Sequence, residues 1–202
     1  ANCAVPFFSS IVCTADALTI AGSEAQKAAW LPLLASGEVV AAFASAEGKD
    51  GWRPAKPSVA FADGKLTGSK SPVADAGIAD VAIVVCAHDE REALALVKLD
   101  GAKVTRTKLD SFDELRTHYR IDFDGADAEL LDGADAAVID GVLNRAAVQA
   151  AFEAVGAAEA CVHMGRDYTM DRQMFGRPLA SYQAIKHKLA DILMATELAR
   201  SN

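Results

Sequence analysis

Helical and strand patterns are segregated along this chain of 202 residues. Helical patterns fill residues 1–37 and 133–202, and strand patterns fill the middle stretch, residues 38–132. Because successive strands tend to pair with one another, this order is typical of α+β proteins. It predicts a helical segment, then a small β-barrel or sandwich, then a segment of a helical bundle.

The clearest helix of the first stretch is predicted at Glu24–Ala35. Ser23 and Gln26 form the Ser-x-x-Gln pattern of a capping box, in which each side chain accepts a hydrogen bond from the other residue's backbone. Gly37 follows as a typical helix stop. The apolar run Ala15–Ala21 predicts a shorter helix before this one.

Two Asp-Gly pairs predict hairpins in the middle stretch, because these residues accept the positive φ angles of a two-residue turn. The strands they would join are Ser58–Ala62 with Lys65–Ser69 around Asp63-Gly64, and Ala93–Leu99 with Lys103–Lys108 around Asp100-Gly101. The apolar run Val81–Ala87 predicts a buried strand, and alternation in His118–Phe123 predicts a strand with one buried face. The acidic run Asp122–Glu129 is typical of a solvated turn.

Two helices joined by a short break are predicted in the last stretch. Asp135 is a suitable N-cap for a long helix that runs towards Tyr168, and the loop Phe175–Pro178 interrupts the chain. A second helix begins near Gln183 and carries apolar residues at helical spacing: Ile185, Leu189, Ile192 and Leu193. Arg172, near the end of the first helix, and Gln183 therefore meet at one helix–loop–helix corner.

The composition excludes several classes of protein. Hydrophobic residues make up 51% of the chain and charged residues 24%, which is unlike a disordered chain. The net charge of −8 argues against a nucleic-acid binder with a broad basic face. One or two arginines could still hold a phosphate-bearing ligand. No apolar run approaches the ~20 residues of a membrane span, so none is expected.

The cysteines and glycines do not form a metal or phosphate motif. The four cysteines are far apart and form no CxxC pair: Cys3, Cys13, Cys86 and Cys161. We therefore expect no zinc site, reduced structural thiols and a cytoplasmic location. The segment Gly64–Lys70 is not a phosphate loop, because its glycines are one residue too close and its lysine follows the serine.

The strongest candidate for a ligand site is the corner formed by Arg172, Phe175 and Gln183. A guanidinium offers forked donors to a phosphate, and a glutamine amide can add another donor. The phenylalanine offers an apolar face to a flat ligand. An ordinary helical hairpin that ends in an arginine is the alternative interpretation of these residues.

These residues resemble a known family. Arg172-x-x-Phe175-Gly, followed by Pro-Leu, Gln183-Ala-Ile and Leu-Ala-Asp191, is similar to the acyl-CoA dehydrogenases. Further matches follow in the family's order: Gly22–Lys27, Leu31-Pro32, Ala35–Glu38, Gly68-x-Lys70, Ala79-Asp80 and Arg145. The resemblance covers nearly the whole chain. It implies that residues 1–37 end an N-terminal helical domain, 38–132 form a middle β domain and 133–202 begin a C-terminal helical domain.

The resemblance also implies a chemistry. Members of the family hold FAD between the β domain and the C-terminal helices and remove hydrogen from the α and β carbons of an acyl-CoA thioester. A carboxylate base takes the α proton while the flavin receives the β hydride. Members are usually tetramers, here a homotetramer or a heterotetramer, and pass electrons to an electron-transfer acceptor protein.

The family's site residues map onto named positions of this chain. Arg172 and Gln183 would reach the FAD of a neighbouring subunit, Phe175 would pack nearby, and Arg145 would lie near the acyl-CoA. The flavin-side positions implied on the β domain are Phe43, Ser45, Ala46, Val73 and Ala74.

The chain departs from the family in both flavin-side segments. Ala46–Gly51 stands where the family has Thr-Glu-Pro-Gly-x-Gly-Ser-Asp, and Pro72–Asp75 stands where it has Trp-Ile-Thr-Asn. Two hydroxyls and an aromatic ring are thereby lost, so only main-chain donors remain there.

No catalytic base is assigned. Some members carry it immediately before the arginine that matches Arg145, where this chain has Asn144, and an amide does not accept a proton as a carboxylate does. Most members carry a glutamate beyond the helix that ends near Asn202. The chain is therefore expected to be a fragment of a longer dehydrogenase or a non-catalytic subunit that completes a partner's FAD site. Acyl-CoA oxidase chemistry stays open as a third alternative.

Overall fold

The computed structural model describes residues 5–48, 51–54, 56–113 and 115–201. Cys3, Lys49 and Asp50 lie outside the described residues. The described residues form two compact units, one covering residues 5–146 and the other residues 147–201. The predicted α+β class is confirmed, since helices precede and follow, along the chain, a sheet that closes on itself. The boundaries at residues 37 and 132 stay a prediction.

Three helical segments open the first unit: a π-helix at Phe8–Ala15, α1 at Asp16–Ala21 and α2 at Glu24–Ser36. The predicted capping box is confirmed, because Ser23 Oγ accepts from the Gln26 backbone at 3.2 Å and Gln26 Oε1 accepts from the Ser23 backbone at 3.0 Å. The π-helix was not expected from the sequence.

Seven strands follow in the first unit: β1 at Ala41–Ala44, β2 at Ala60–Ala62, β3 at Lys65–Ala74, β4 at Val81–His88, β5 at Arg91–Lys98, β6 at Val104–Lys108 and β7 at His118–Leu130. Five of them pair in a closed circuit, β4–β2–β3–β7–β5 and back to β4. Strand β1 pairs in parallel with β4, and β6 pairs with β7. The expected small β-barrel is thus present.

One hairpin prediction is confirmed and one is wrong. Asp63 and Gly64, at φ angles of 50° and 72°, join β2 to β3 as expected. The strands on either side of Asp100-Gly101 do not pair with each other. Strand β5 instead forms its hairpin with β4 through Asp89 and Glu90, which hold φ angles of 48° and 62°.

The acidic run Asp122–Glu129 is not a solvated turn. It forms most of β7, which pairs with β3, β5 and β6. Phe123 and Ala126 point into the core, while most of the acidic side chains point towards solvent. Buried apolar residues do occur between exposed acidic residues in this run, but the many carboxylates favoured the interpretation as a turn.

Strand β4 separates two apolar cores of the first unit. Ala82, Val84 and Cys86 face the barrel interior, whereas alternate residues of the same strand face the helices. The second core joins those residues to α1, α2 and the start of the next helix: its largest members are Leu18, Leu34, Val81, Ile83, Val85, Leu94, Leu96, Leu131, Ile139, Val142 and Leu143. This continuous burial on both faces explains why Val81–Ala87 has an unbroken apolar sequence.

The outer edge of β1 is covered by side chains of the π-helix. Ser10 Oγ accepts from the Ala41 N–H at 2.9 Å and donates to the Ala41 carbonyl at 3.0 Å. Thr14 Oγ1 donates to the Ala42 carbonyl at 3.1 Å. Both hydroxyls are buried, so they satisfy backbone groups that a neighbouring strand would otherwise bind.

The long helix α3 spans Ala136–Asp171 and continues from the first unit into the second. Asp135 caps it as predicted, accepting from the Val138 N–H at 2.8 Å. The second unit then contains β8 at Gln173–Met174, β9 at Arg177–Pro178, a 3₁₀ turn at Leu179–Ser181 and α4 at Gln183–Ser201. Of the helices in the described ranges, none is long and apolar enough to cross a membrane.

Candidate functional site

The predicted loop between the two C-terminal helices is a tight β-hairpin. Phe175 and Gly176, at φ angles of 50° and 79°, form its two-residue turn between β8 and β9. The carbonyl of Arg172 accepts a hydrogen bond from the Leu179 N–H at 2.7 Å. A non-glycine residue at positive φ carries strain and persists only where the surrounding structure holds it. The pairing of β8 with β9 holds Phe175 in this conformation.

The side chains at this corner are exposed. Phe175 is 92% exposed, and Arg172 and Gln183 are exposed as well. Arg172 directly follows Asp171, the last residue of α3. Among the residues that the structure describes, none forms a hydrogen bond or ion pair with the Arg172 guanidinium. An unpaired guanidinium, an exposed ring and a glutamine amide within one short segment are the groups that a flat ligand carrying phosphate would need.

Two contacts that the sequence interpretation missed hold the corner together. Arg177 stacks on the Tyr182 ring, with its guanidinium carbon 4.0 Å from the ring centre. The Tyr182 hydroxyl donates to the Met174 carbonyl at 2.9 Å. Gln183 Nε2 lies 2.9 Å from His187 Nε2, one helical turn further along α4.

The two segments that the resemblance places beside the flavin lie next to each other in the first unit. Ala46 follows β1, and its carbonyl accepts from the Ser71 N–H at 2.9 Å, close to the end of β3. Phe43 lies in β1 and packs on the second core, and Ser45 is buried. Val73 as a whole residue is 1% exposed, with its side chain in the barrel core, whereas Ala74 is half-buried.

A buried ion pair joins the segment that follows β1 to strand β3. Lys70 Nζ lies 2.5 Å from Glu47 Oε1, and the two side chains are 0% and 6% exposed. Lys70 also donates to the Ser45 carbonyl at 3.1 Å. The Glu47 carboxylate accepts from the Ser58 N–H at 2.8 Å. Lys70 belongs to a segment that matches a family motif, and Glu47 keeps the glutamate of a motif from which its segment otherwise departs, which is the signal that could have paired them.

Electrostatics favour the charged form of Glu47. Burial alone would raise the pKa of this carboxyl, but hydrogen bonds from Lys70 and Ser58 outweigh it, and the pKa lies below its ordinary value. Burial lowers the pKa of Lys70, against the opposing effect of Glu47. Burial also raises the pKa of the nearby Cys86 to about 12, so this thiol stays protonated.

Gly68 lets the backbone of β3 pass close to the segment before β2. Its φ angle is 130°, and a Cβ atom added there would lie 2.9 Å from Val59 Cα.

We expect Gly68→Ala to lower the free energy of unfolding by about 1–3 kcal/mol, because both the φ angle and the contact with Val59 would be strained. Chemical denaturation measures this, with Gly101→Ala as the control, since a Cβ at Gly101 meets nothing within 4 Å. Equal stability of the two variants would contradict the expectation.

Arg53 is a further residue that the sequence interpretation missed. Its guanidinium forms a fork with Glu92, at 2.6 Å for each pair of atoms, and its Nε donates to Asp140 at 2.8 Å. Hydrogen bonding to Glu92 raises its pKa above the ordinary value. Arg53 therefore fastens the segment after Ala46–Gly51 to β5 and to α3.

Arg145 lies on α3, within the first unit. Its Nε donates to Asp16 Oδ2 at 2.8 Å, and Asp16 is the first residue of α1. Asn144, which precedes it, is exposed. The structure thus describes two groups of candidate residues: Arg145 with the flavin-side segments in the first unit, and Arg172 with Phe175 and Gln183 in the second.

Comparison with known proteins supports the family resemblance. The model of the acyl-CoA dehydrogenase C-terminal domain matches residues 136–202. An acyl-CoA dehydrogenase of Bacillus subtilis is 33% identical over 197 residues, which covers 89% of this chain and 52% of that protein. The chain therefore spans about half the length of this relative.

Solved structures show the same fold. Butyryl-CoA dehydrogenase from Megasphaera elsdenii superposes with a TM-score of 0.88 at 25% identity, covering 97% of this chain and 56% of that one. A glutaryl-CoA dehydrogenase from Mycobacterium smegmatis in complex with FADH2 superposes with a TM-score of 0.84 at 26% identity, covering 96% of this chain and 55% of that one. From its sequence and its fold together, the chain belongs to the acyl-CoA dehydrogenase family.

Proposed function

We propose that this chain binds FAD and takes part in the α,β-dehydrogenation of an acyl-CoA thioester. The observation that carries the proposal is the exposed corner of the second unit. There Arg172, Phe175 and Gln183 are all exposed, and the Arg172 guanidinium has no partner among the described residues. These residue types suit a nucleotide with a flat ring and paired phosphates.

The roles follow from what each group can donate. Arg172 and Gln183 would hold the FAD of a neighbouring subunit, and Phe175 would cover part of it. On the β domain, main-chain groups of Ser45, Ala46 and Ala74 would face the flavin, since the alanine side chains offer no donor, and the buried Val73 would support Ala74. When bound, FAD accepts the hydride that the acyl-CoA gives up. Arg145 would bind the substrate.

A second function is favoured by the departures from the family motifs. Asn144 cannot act as a carboxylate base, and Ala46 and Ala74 remove hydroxyls beside the flavin. These three residues suit a non-catalytic subunit that completes the FAD site of a partner in a heteromeric dehydrogenase. We assign no catalytic base to the described residues.

The proposed partners are those that this chemistry needs. They are an acyl-CoA substrate, an electron-transfer protein as acceptor, and further subunits of a homotetramer or heterotetramer. The buried thiols of Cys13 and Cys86 fit a reducing compartment, for which we propose the cytoplasm.

The visible absorption spectrum of the purified protein with FAD tests the proposal. We expect a bound-flavin spectrum that bleaches when an acyl-CoA thioester is added without oxygen, because the substrate reduces the flavin. A flavin spectrum without bleaching, over a series of acyl chain lengths, would favour the non-catalytic subunit. Failure to retain FAD at all, with or without a partner subunit, would overturn both functions.

A further inference from the structure

The guanidinium of Arg145 is engaged at one of its three nitrogens. Nε donates to Asp16 Oδ2 at 2.8 Å, and neither terminal nitrogen has a hydrogen bond within the described part of the chain. The side chain of Arg145 is 51% exposed, whereas that of Asp16 is 26% exposed. Within the described residues, both terminal nitrogens therefore keep donors that a ligand could use.

Gly141 provides the space in which this guanidinium lies. A Cβ atom added at Gly141 would be 3.4 Å from Nη1 and 3.7 Å from Nη2 of Arg145. The guanidinium thus rests against the bare backbone of its own helix, one turn before Arg145. A side chain larger than alanine at this position would displace it.

The carboxylate that holds Nε is itself well fixed. Asp16 begins α1, and the next two residues, Ala17 and Leu18, are fully buried in the second core. Ile139 and Val142 of α3 belong to the same core. Asp16 and Arg145 therefore project from two helical segments that pack on shared apolar residues, and their separation is set by that packing.

We propose that Asp16 and Gly141 are positioning residues that aim the terminal nitrogens of Arg145 at an oxyanion of the acyl-CoA. The inference rests on the proposed function, because it takes Arg145 to be a substrate-binding residue. A guanidinium forks onto phosphate and carboxylate alike. The oxyanion is therefore a phosphate of the CoA moiety or a carboxylate at the end of the acyl chain.

The direction in which Asp16→Asn changes the binding of an anion shows whether Asp16 positions Arg145 or only neutralises its charge. If Asp16 merely neutralised Arg145, Asp16→Asn would tighten the binding of an anion, because an opposing charge would be removed. If Asp16 aims the guanidinium, the same substitution weakens binding, because the freed side chain must be ordered again by the ligand.

Titration calorimetry with the assembled protein measures the effect on three ligands: CoA itself, a straight-chain acyl-CoA, and an acyl-CoA of equal length with a terminal carboxylate. We expect Asp16→Asn and Gly141→Leu to weaken binding about tenfold. Asp16→Glu should recover part of the loss. Glu24→Gln, which removes one exposed negative charge elsewhere, and Gly156→Leu on the same helix should stay within about twofold of the unsubstituted protein.

A loss on all three ligands identifies a CoA phosphate as the oxyanion, and a loss confined to the third identifies the carboxylate. Unchanged or tighter binding by Asp16→Asn, in a protein whose flavin is still reduced by substrate, would overturn the positioning role alone. Failure of the unsubstituted protein to bind any of the three ligands would overturn this role together with the proposed function.

Discussion

Replacing Glu47 by glutamine is expected to lower the free energy of unfolding by about 3–5 kcal/mol, because it leaves the fully buried ammonium of Lys70 without an opposite charge. Urea denaturation measures the effect. The double variant Glu47→Gln with Lys70→Met should recover most of the loss, since a buried ion pair and an apolar group of similar shape are often equal in stability. Glu24→Gln, which breaks the exposed pair with Lys27, should cost less than about 1 kcal/mol.

The pH dependence of stability gives an independent measurement of the same pair. The pKa of Glu47 is lower in the folded protein than its ordinary value, so the folded state binds this proton less readily than the unfolded chain. The contribution of Glu47 to the free energy of unfolding is therefore present above the ordinary glutamate pKa. It is lost as the pH falls through the pKa of Glu47 in the folded protein. The Glu47→Gln variant should lack this acid-dependent part. The role of the pair would be contradicted if Glu47→Gln left the loss of stability at acid pH unchanged. It would also be contradicted if Glu47→Gln and Glu24→Gln lowered the free energy of unfolding equally.

Replacing Arg172 by alanine is expected to weaken FAD binding about 10-fold to 150-fold, the equivalent of about 1.5–3 kcal/mol for one charge-assisted contact to phosphate. Flavin retained after exhaustive ultrafiltration and the dissociation constant from flavin fluorescence measure the loss. The fold should be unaffected, because the Arg172 side chain has no partner among the described residues.

Two further variants show whether this loss is specific. Arg172→Lys should recover only part of the affinity, because an ammonium cannot form the fork of a guanidinium. Arg166→Ala, which removes another exposed arginine of α3, paired with Asp167, should leave FAD binding unchanged. Equal affinity of the Arg172→Ala variant and the unsubstituted protein would exclude this arginine from the cofactor site.

Local sequence rules predicted the elements whose chemistry is confined to a few neighbouring residues. The capping box of Ser23 and Gln26, the cap at Asp135 and the turn at Asp63-Gly64 each depend on hydrogen bonds or φ angles within four residues. The break between the two C-terminal helices was likewise predictable, because Gly176 and Pro178 interrupt the helical pattern.

Features decided by distant partners could not be predicted in this way. The turn at Asp89-Glu90 has no glycine, and the long pairing of β4 with β5 keeps both residues at positive φ. Asp122–Glu129 forms a strand because β3, β5 and β6 bind it on both edges. The pairing of Glu47 with Lys70 joins residues 23 positions apart, and only the closed barrel brings them together.

The hydroxyls of Ser10 and Thr14 occupy the hydrogen-bonding positions that an additional strand would take beside β1. A sheet margin with free amides and carbonyls is a template on which other polypeptides can grow into aggregates. Here side chains, and not the main chain of another strand, satisfy the backbone groups at this edge of β1, so no further strand is needed to cover it. The side chains of Ser10 and Thr14 on the π-helix therefore protect this edge of β1 from pairing with another chain.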